Sequence, residues 1–159
     1  MGPEGDLAVS RLARGCRCFV VWIDGSVAGY GWLSMGPEWI GEIQLEIRPN
    51  AGEGYIWDCA TLVQHRRKGI FRSLLVGISE SARHDGLRRL WIGSIAIPAE
   101  KALAPAGFKP AVHFTALRFR SWHLLRVTAA SDPKLATRAR AVLKTRSQLL
   151  LRRSQSRRH

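Results

Sequence analysis

Acidic residues are few in this chain relative to basic ones. Its 159 residues hold 12 Asp and Glu against 25 Lys and Arg, a net charge of +13, and no acid follows Asp132. The imbalance is uneven. The first 133 residues carry 16 basic and 12 acidic residues, whereas residues 134–159 carry nine basic ones and no acid. Such a surplus attracts polyanions: nucleic acid, acidic membrane or a phosphorylated ligand. The basic C-terminal extension is thus either a surface for nonspecific polyanion contact or, more plainly, a solvated and partly helical appendage.

Cysteine is sparse as well. Cys16, Cys18 and Cys59 are odd in number and lack metal-ligand spacing, which argues against a disulfide framework and against a metal site. Reduced thiols, and hence a cytoplasmic protein, are the expectation. No apolar run approaches the roughly 18 residues a membrane-spanning helix needs. The first residues also lack the cationic-then-apolar order of a signal peptide. Repeats and long linkers are missing too, and an apolar fraction of 46% suits one domain with a substantial core.

What is present reads as α/β. Residues 1–15 are weakly patterned, with a short helix admissible over 7–14. Two β-rich runs, 16–23 and 27–34, flank Asp24-Gly25 and predict a hairpin. Residues 39–48 alternate, with Ile43, Leu45 and Ile47 opposite Glu42, Gln44 and Glu46, as in a half-buried strand. Residues 54–62 are nearly apolar throughout and predict a central strand. A helix follows Gly69, with Ile70, Leu74, Ile78 and Ala82 four apart and Phe71 and Leu75 beside them, ending at Asp85-Gly86. A short strand at 90–94 completes a strand–helix–strand crossover of parallel strands. A second helix at 98–106 is shortened by Pro105. Two further strands within 108–126 and a basic helix from Pro133, with Leu135, Ala139, Val142 and Leu143 on one side, complete the chain. The division expected is 1–15 as an N-terminal segment, 16–127 as the folded domain and 128–159 as the basic extension.

One stretch unites local structure with charge. From Asp58 to Leu75 a strand runs into a glycine-containing turn carrying Arg66, Arg67, Lys68 and Arg72, and the turn opens directly into the amphipathic helix. Backbone N–H groups and the positive helix end converge there on one point, suited to an anion such as a pyrophosphate.

The stretch Arg66-Arg67-Lys68-Gly69-Ile70-Phe71 resembles the Arg/Gln-x-x-Gly-x-Gly/Ala signature of the Gcn5-related N-acetyltransferase (GNAT) family. That signature lies where a strand meets a helix. A second landmark of the family, a short strand, a helix and then Gly-Phe, matches residues 90–94, 98–106 and Gly107-Phe108. The resemblance covers about residues 19–120. It implies a mixed, strongly twisted β-sheet flanked by helices, here with an abbreviated N-terminal part and a basic C-terminal helical tail. It also implies acetyl-CoA as cosubstrate and an amine, of a small molecule by preference, as acceptor. Family members often dimerise, so a homodimer is implied too. Three departures stand out. The last small position of the signature is Phe71. The Asn that many members carry after the short strand falls near Ala96, and the Tyr that many use as general acid falls near Leu103.

The residues themselves support a donor site. Backbone N–H groups of Arg67, Lys68, Gly69, Ile70 and Phe71 can cradle a pyrophosphate, with Arg66, Arg67, Lys68 and Arg72 supplying charge. Cys59, Ala60 and Thr61 can offer strand backbone to a pantetheine arm. Acetyl transfer to an amine also needs a proton acceptor and polarisation of the thioester oxygen. Asp58, the one carboxylate in an apolar strand, is the candidate base, and Tyr55 a candidate proton donor. Strand alternation places Tyr55, Trp57, Cys59 and Thr61 on one face and Asp58 on the other. A structural Asp bonded to neighbouring backbone, and a core Tyr, are the plainer readings. Glu42 and Glu46 are further carboxylates on an alternating strand. Trp22, Trp32, Trp39, Trp57 and Trp91 suit core packing, with one or two able to wall an apolar or cationic acceptor. A catalytically silent CoA-binding module and a nucleic-acid-associated protein using the basic tail are the alternatives.

Overall fold

Helix α1 (Pro3–Ala13) opens the computed structural model, which describes residues 3–94, 97–119, 122–145 and 149–153. The helix ends in a glycine cap. Gly15 takes φ 80°, and the Cys16 N–H returns to the Arg11 carbonyl at 3.0 Å. The expected hairpin follows, with β1 (Arg17–Ile23) and β2 (Ser26–Ser34) antiparallel across Asp24 and Gly25. Cys16 precedes β1 and is buried, whereas Cys18 within it is exposed; all three cysteines are free thiols.

The expected single strand over 39–48 breaks in two. Strands β3 (Glu38–Ile40) and β4 (Leu45–Ile47) form a two-stranded sheet of their own around a turn in which Gln44 has φ 52°. Alternation of side chains is satisfied by either arrangement, so the pattern could not register the turn.

Strand β5 (Glu53–Thr61) lies centrally, as its apolar composition predicts. The sheet order is β1-β2-β5-β6, with β6 spanning Arg89–Ile92. Between β5 and β6 runs α2 (Ile70–His84), and the two strands are parallel. Helix α2 buries Leu74, Leu75, Ile78 and Ala82 on Leu33 and Ile56 of the sheet, and Ile70 is buried beside Gly29 of β2. Each fully buried aliphatic side chain of this kind contributes roughly 2 kcal/mol. The predicted second helix is α3 (Ile97–Leu103). Its 3-10 continuation over Ala104–Ala106 contains Pro105, and Gly107 caps it. Phe108 does not open a strand as expected. It packs on the α2 cluster, and β7 begins only after Pro110.

Strands β7 (Val112–Phe119) and β8 (Trp122–Ala129) pair antiparallel. Helix α4 (Pro133–Val142) then starts at Asp132, whose carboxylate accepts from the N–H groups of Lys134 and Leu135 at 2.9 and 3.0 Å. It buries Ala136, Ala139 and Val142, and Leu143 follows. The tail is not helical to its end, because β9 (Leu149–Arg153) adds to β8 as a third strand. The chain divides into two compact units, Met1–Glu38 with Arg48–Lys109, and Trp39–Ile47 with Pro110–His159. Mixed sheet, crossover helix and flanking helices agree with the α/β class read from the sequence.

Candidate active site

The site lies in the first unit, along β5. The ladder between β5 and β6 is closed at one end and open at the other. It pairs Glu53 with Arg89 through Ile56 with Ile92 and stops, while β5 runs on to Thr61. A buried carboxylate holds the closed end. Glu53, 7% exposed, accepts from Arg89 Nη1 at 2.7 Å, Trp91 Nε1 at 3.0 Å, and the Asn50 N–H and Nδ2 at 3.2 and 3.1 Å. Burial pushes its pKa up, but these hydrogen bonds outweigh it and leave the carboxyl below the usual glutamate range. Beyond Ile56 the edge of β5 that faced β6 is left for another chain or ligand to pair with.

The open segment begins at a β-bulge. Trp32 pairs with Trp57 and Tyr30 with Ala60, so Gly31 alone stands opposite both Asp58 and Cys59, and Asp58 takes φ 44°. This extra residue overturns the expected alternation. Cys59 packs with Ile56 against the α2 cluster, whereas Trp57 and Asp58 both meet Arg11 of α1. Asp58 and Trp57 therefore share a face, and Cys59 lies on the other. Gly31 makes room for the bulge: a Cβ there would stand 2.7 Å from Cys59 Sγ and 3.1 Å from Leu74 Cδ2. Burial, together with the Asp58 charge, pushes the Cys59 thiol up to about 12, so Cys59 offers backbone and packing rather than a thiolate.

The chain leaves β5 through a 3-10 turn, Val63–His65, and enters α2 through Arg66–Gly69. Arg67 and Gly69 both take left-handed backbone, φ 62° and 78°. Gly69 at the cap position carries no side chain to bond the first turn, so the N–H groups of Ile70, Phe71 and Arg72 lack both a capping partner and an intrahelical one. Arg66, Arg67, Lys68 and Arg72 are exposed around them, with Arg66 Nε bonded to the Thr61 carbonyl at 3.3 Å. His65 Nδ1 is buried there without a partner among the described residues. Unmet donors, a helix N-terminus and four cations fit a pyrophosphate. Phe71, the departure from the small signature residue, is half-buried against the α2 cluster rather than free to crowd the turn.

On the opposite face, Arg11 supplies what sequence reasoning missed. Its guanidinium lies 4.2 Å from the Trp57 ring centroid, 5.0 Å from that of Trp32, and 2.5 Å from Asp58 Oδ2. Asp58 is thus paired and 39% exposed, not isolated among apolar side chains. The sole hint in the sequence was an arginine with no acid three or four residues away to pair with. Tyr55 is 6% exposed, with its hydroxyl close to Gly93 beyond β6. Trp32 and Trp91 are buried and Trp57 half-buried, but Trp22 and Trp39 are 63% and 51% exposed, contrary to a core role. Glu42 is exposed in the β3–β4 turn and Glu46 is on β4, both in the second unit. Ala96 lies outside the described residues, and Leu103 ends α3.

An open parallel pair that feeds a basic helix N-terminus is an α/β arrangement suited to a phosphate group. Comparison with known proteins narrows the class: the Acetyltransferase (GNAT) family model matches residues 3–105, and the chain belongs to that family. No curated protein matches the sequence. Among solved structures it is similar to the aminoglycoside N-acetyltransferase AAC(6')-Iy in complex with CoA, with TM-score 0.54 and 16% identity over 75% of this chain and 89% of that one. It is also similar to ribosomal-protein-alanine N-acetyltransferase from Brucella melitensis, with TM-score 0.53 and 19% identity over 74% and 80%. Glucosamine-6-phosphate N-acetyltransferase from Arabidopsis thaliana gives TM-score 0.51 and 10% identity over 73% and 75%. At these identities the likeness is one of fold. Among the described residues no helix is long and apolar enough to cross a membrane.

Proposed function

We propose that this chain transfers an acetyl group from acetyl-CoA to the amine of a small acceptor by direct attack on the thioester. The observation that carries this reading is the opening of the β5–β6 ladder past Ile56, continuous with the uncapped, basic N-terminus of α2. Acetyl-CoA brings the activated acyl group; the chain's residues bind, orient and manage protons. Arg66, Arg67, Lys68 and Arg72, with the N–H groups from Arg67 to Arg72, take the pyrophosphate. The Cys59, Ala60 and Thr61 backbone pairs with the pantetheine arm as a strand edge pairs with a peptide. A backbone N–H at the Asp58 bulge is suited to polarise the thioester oxygen. The Asp58 carboxylate, partly open to solvent, accepts the amine proton directly or through water, and Tyr55 is the candidate donor to the leaving thiolate.

Acetyl-CoA is expected to raise the melting temperature, and absence of any shift at millimolar concentration would sink the donor reading. Incubating the protein with acetyl-CoA and an amine panel and following free thiol tests the transfer. Two observations favour a silent CoA-binding module instead: Leu103 falls near the position where the family resemblance implies a general-acid Tyr, and Asp58 is already ion-paired. Binding of CoA without thiol release on any amine would select that reading. A nonspecific polyanion contact through residues 133–159 is separate, with Lys134, Arg138 and Lys144 exposed. It requires steep salt dependence and loss on deleting that segment.

A further inference from the structure

The cluster of Arg11, Trp32, Trp57 and Asp58 is unused by the donor half of the reaction, and its composition is that of a cation receptor. Two indole faces and a carboxylate surround one guanidinium. Such a set holds a positive charge by cation–π attraction and ion pairing, whichever molecule carries that charge. Resting on the acetyl-transfer reading above, we propose that Trp32, Trp57 and Asp58 form the recognition site for a cationic amine acceptor, and that Arg11 is an internal occupant which the acceptor displaces.

The way α1 is attached supports displacement. Among residues 6–13 of the helix, Arg11 is the only buried one, while Leu7, Val9 and Leu12 are 51%, 63% and 56% exposed. Over residues 6–13 the helix is docked by one charged side chain rather than by an apolar stripe, with Arg14 just beyond it paired to Glu38 at 3.3 Å, so lifting that stretch uncovers little apolar surface. Gly15, with φ 80° and open space where a Cβ would stand, is the joint between α1 and β1 about which the helix would swing.

Arg11 also fits its surroundings incompletely. Arg11 Nε and Trp57 Nε1 are both buried without a partner among the described residues. Buried donors left unmet are costly: displacement returns Arg11 Nε to water, and a ligand that brings an acceptor oxygen beside its cation can satisfy Trp57 Nε1 where Arg11 cannot. Asp58 remains open enough to meet an incoming cation before Arg11 has left. The location suits the reaction as well. Asp58 occupies the bulge just beyond the last β5–β6 pair, so an amine held by it lies where the open segment of β5 begins.

Propylammonium and methylguanidinium are the probes, with neutral propanol as control, added to CoA-saturated protein. Arg11→Ala is expected to bind both cations about tenfold more tightly than the wild type, read as quenching of indole fluorescence, because an internal occupant lowers apparent affinity by the fraction of time it fills the site. Adding Trp57→Leu should remove the gain. Equal affinity in wild type and Arg11→Ala, or equal binding of propanol, overturns the proposal. CoA binding separates the two readings: Arg11→Ala that binds CoA but no cation sinks the cation site and leaves the donor site standing. A wild type that fails to bind CoA sinks the acetyl-transfer reading, and this proposal with it. If Arg11→Ala does not fold, hydrogen exchange on the wild type decides. Exchange across α1 should accelerate with methylguanidinium and not with methylurea, and unchanged exchange with both overturns the displacement.

Discussion

The two faces reached from β5 are built by different means. Toward β6 and α2 the groups proposed to face a ligand are mostly backbone: an open strand edge, two left-handed residues and the first turn of a helix. Toward α1 they are side chains drawn from positions far apart in the chain, Arg11, Trp32, Trp57 and Asp58. A backbone site needs a short run of residues with the right conformational preferences. A side-chain site needs those residues brought together by the fold. The first therefore leaves a local motif, and the second does not.

This contrast can be broken experimentally. The largest effect is expected from Asp58→Asn, which should lower kcat/KM for acetyl transfer by on the order of 10²-fold while CoA affinity stays unchanged. A matching fall in CoA affinity would show that the two faces are not separable. Next comes Gly29→Val. A Cβ at Gly29 would stand 2.8 Å from the Ala60 carbonyl oxygen and 3.1 Å from Ile70 Cγ2. Denaturant unfolding should report a loss of about 3 kcal/mol, with CoA binding weakened because Ile70 starts α2. Lys68→Ala touches only the donor face and should reduce CoA affinity about tenfold at low salt, less at high salt, without altering discrimination among amines. An unchanged CoA affinity in calorimetry would remove Lys68 from the cradle.

The smallest effect concerns the closed end of the parallel pair. The Glu53 carboxyl sits below its ordinary range, since its hydrogen bonds outweigh burial. Its contribution to stability is therefore complete above the unfolded-state value, about 4.3, and is lost as pH falls through the lower folded value. Melting temperature measured from pH 6 to pH 3 should fall more in the wild type than in Glu53→Gln; parallel curves would refute that role.

Much of the proposed donor face is legible in the sequence. The D-G hairpin, the central strand, the four-residue spacing along α2 and its stop at Asp85-Gly86 all express preferences acting over a few residues. The bulge was not legible, because one extra residue in β5 is defined only against its partner β2, and it reversed the side of Cys59 relative to Trp57. The turn that splits residues 39–48 and the strand β9 were missed for a similar reason: pairing, not composition, makes them. Arg11 was missed because its partners lie 21 to 47 residues away along the chain.

The amino-acid sequence by itself determined the α/β class, the basic glycine turn and the helix it opens, and through them the family. Short-range conformational preference and periodic burial suffice for these. Tertiary structure alone decided where the β5–β6 ladder opens, which side chains share a face across the bulge, and that Arg11 fills the space between Trp32, Trp57 and Asp58. Those outcomes depend on strand register and on how Arg11 of α1 meets β2 and β5, and each is a property of segments that meet only when the chain has folded.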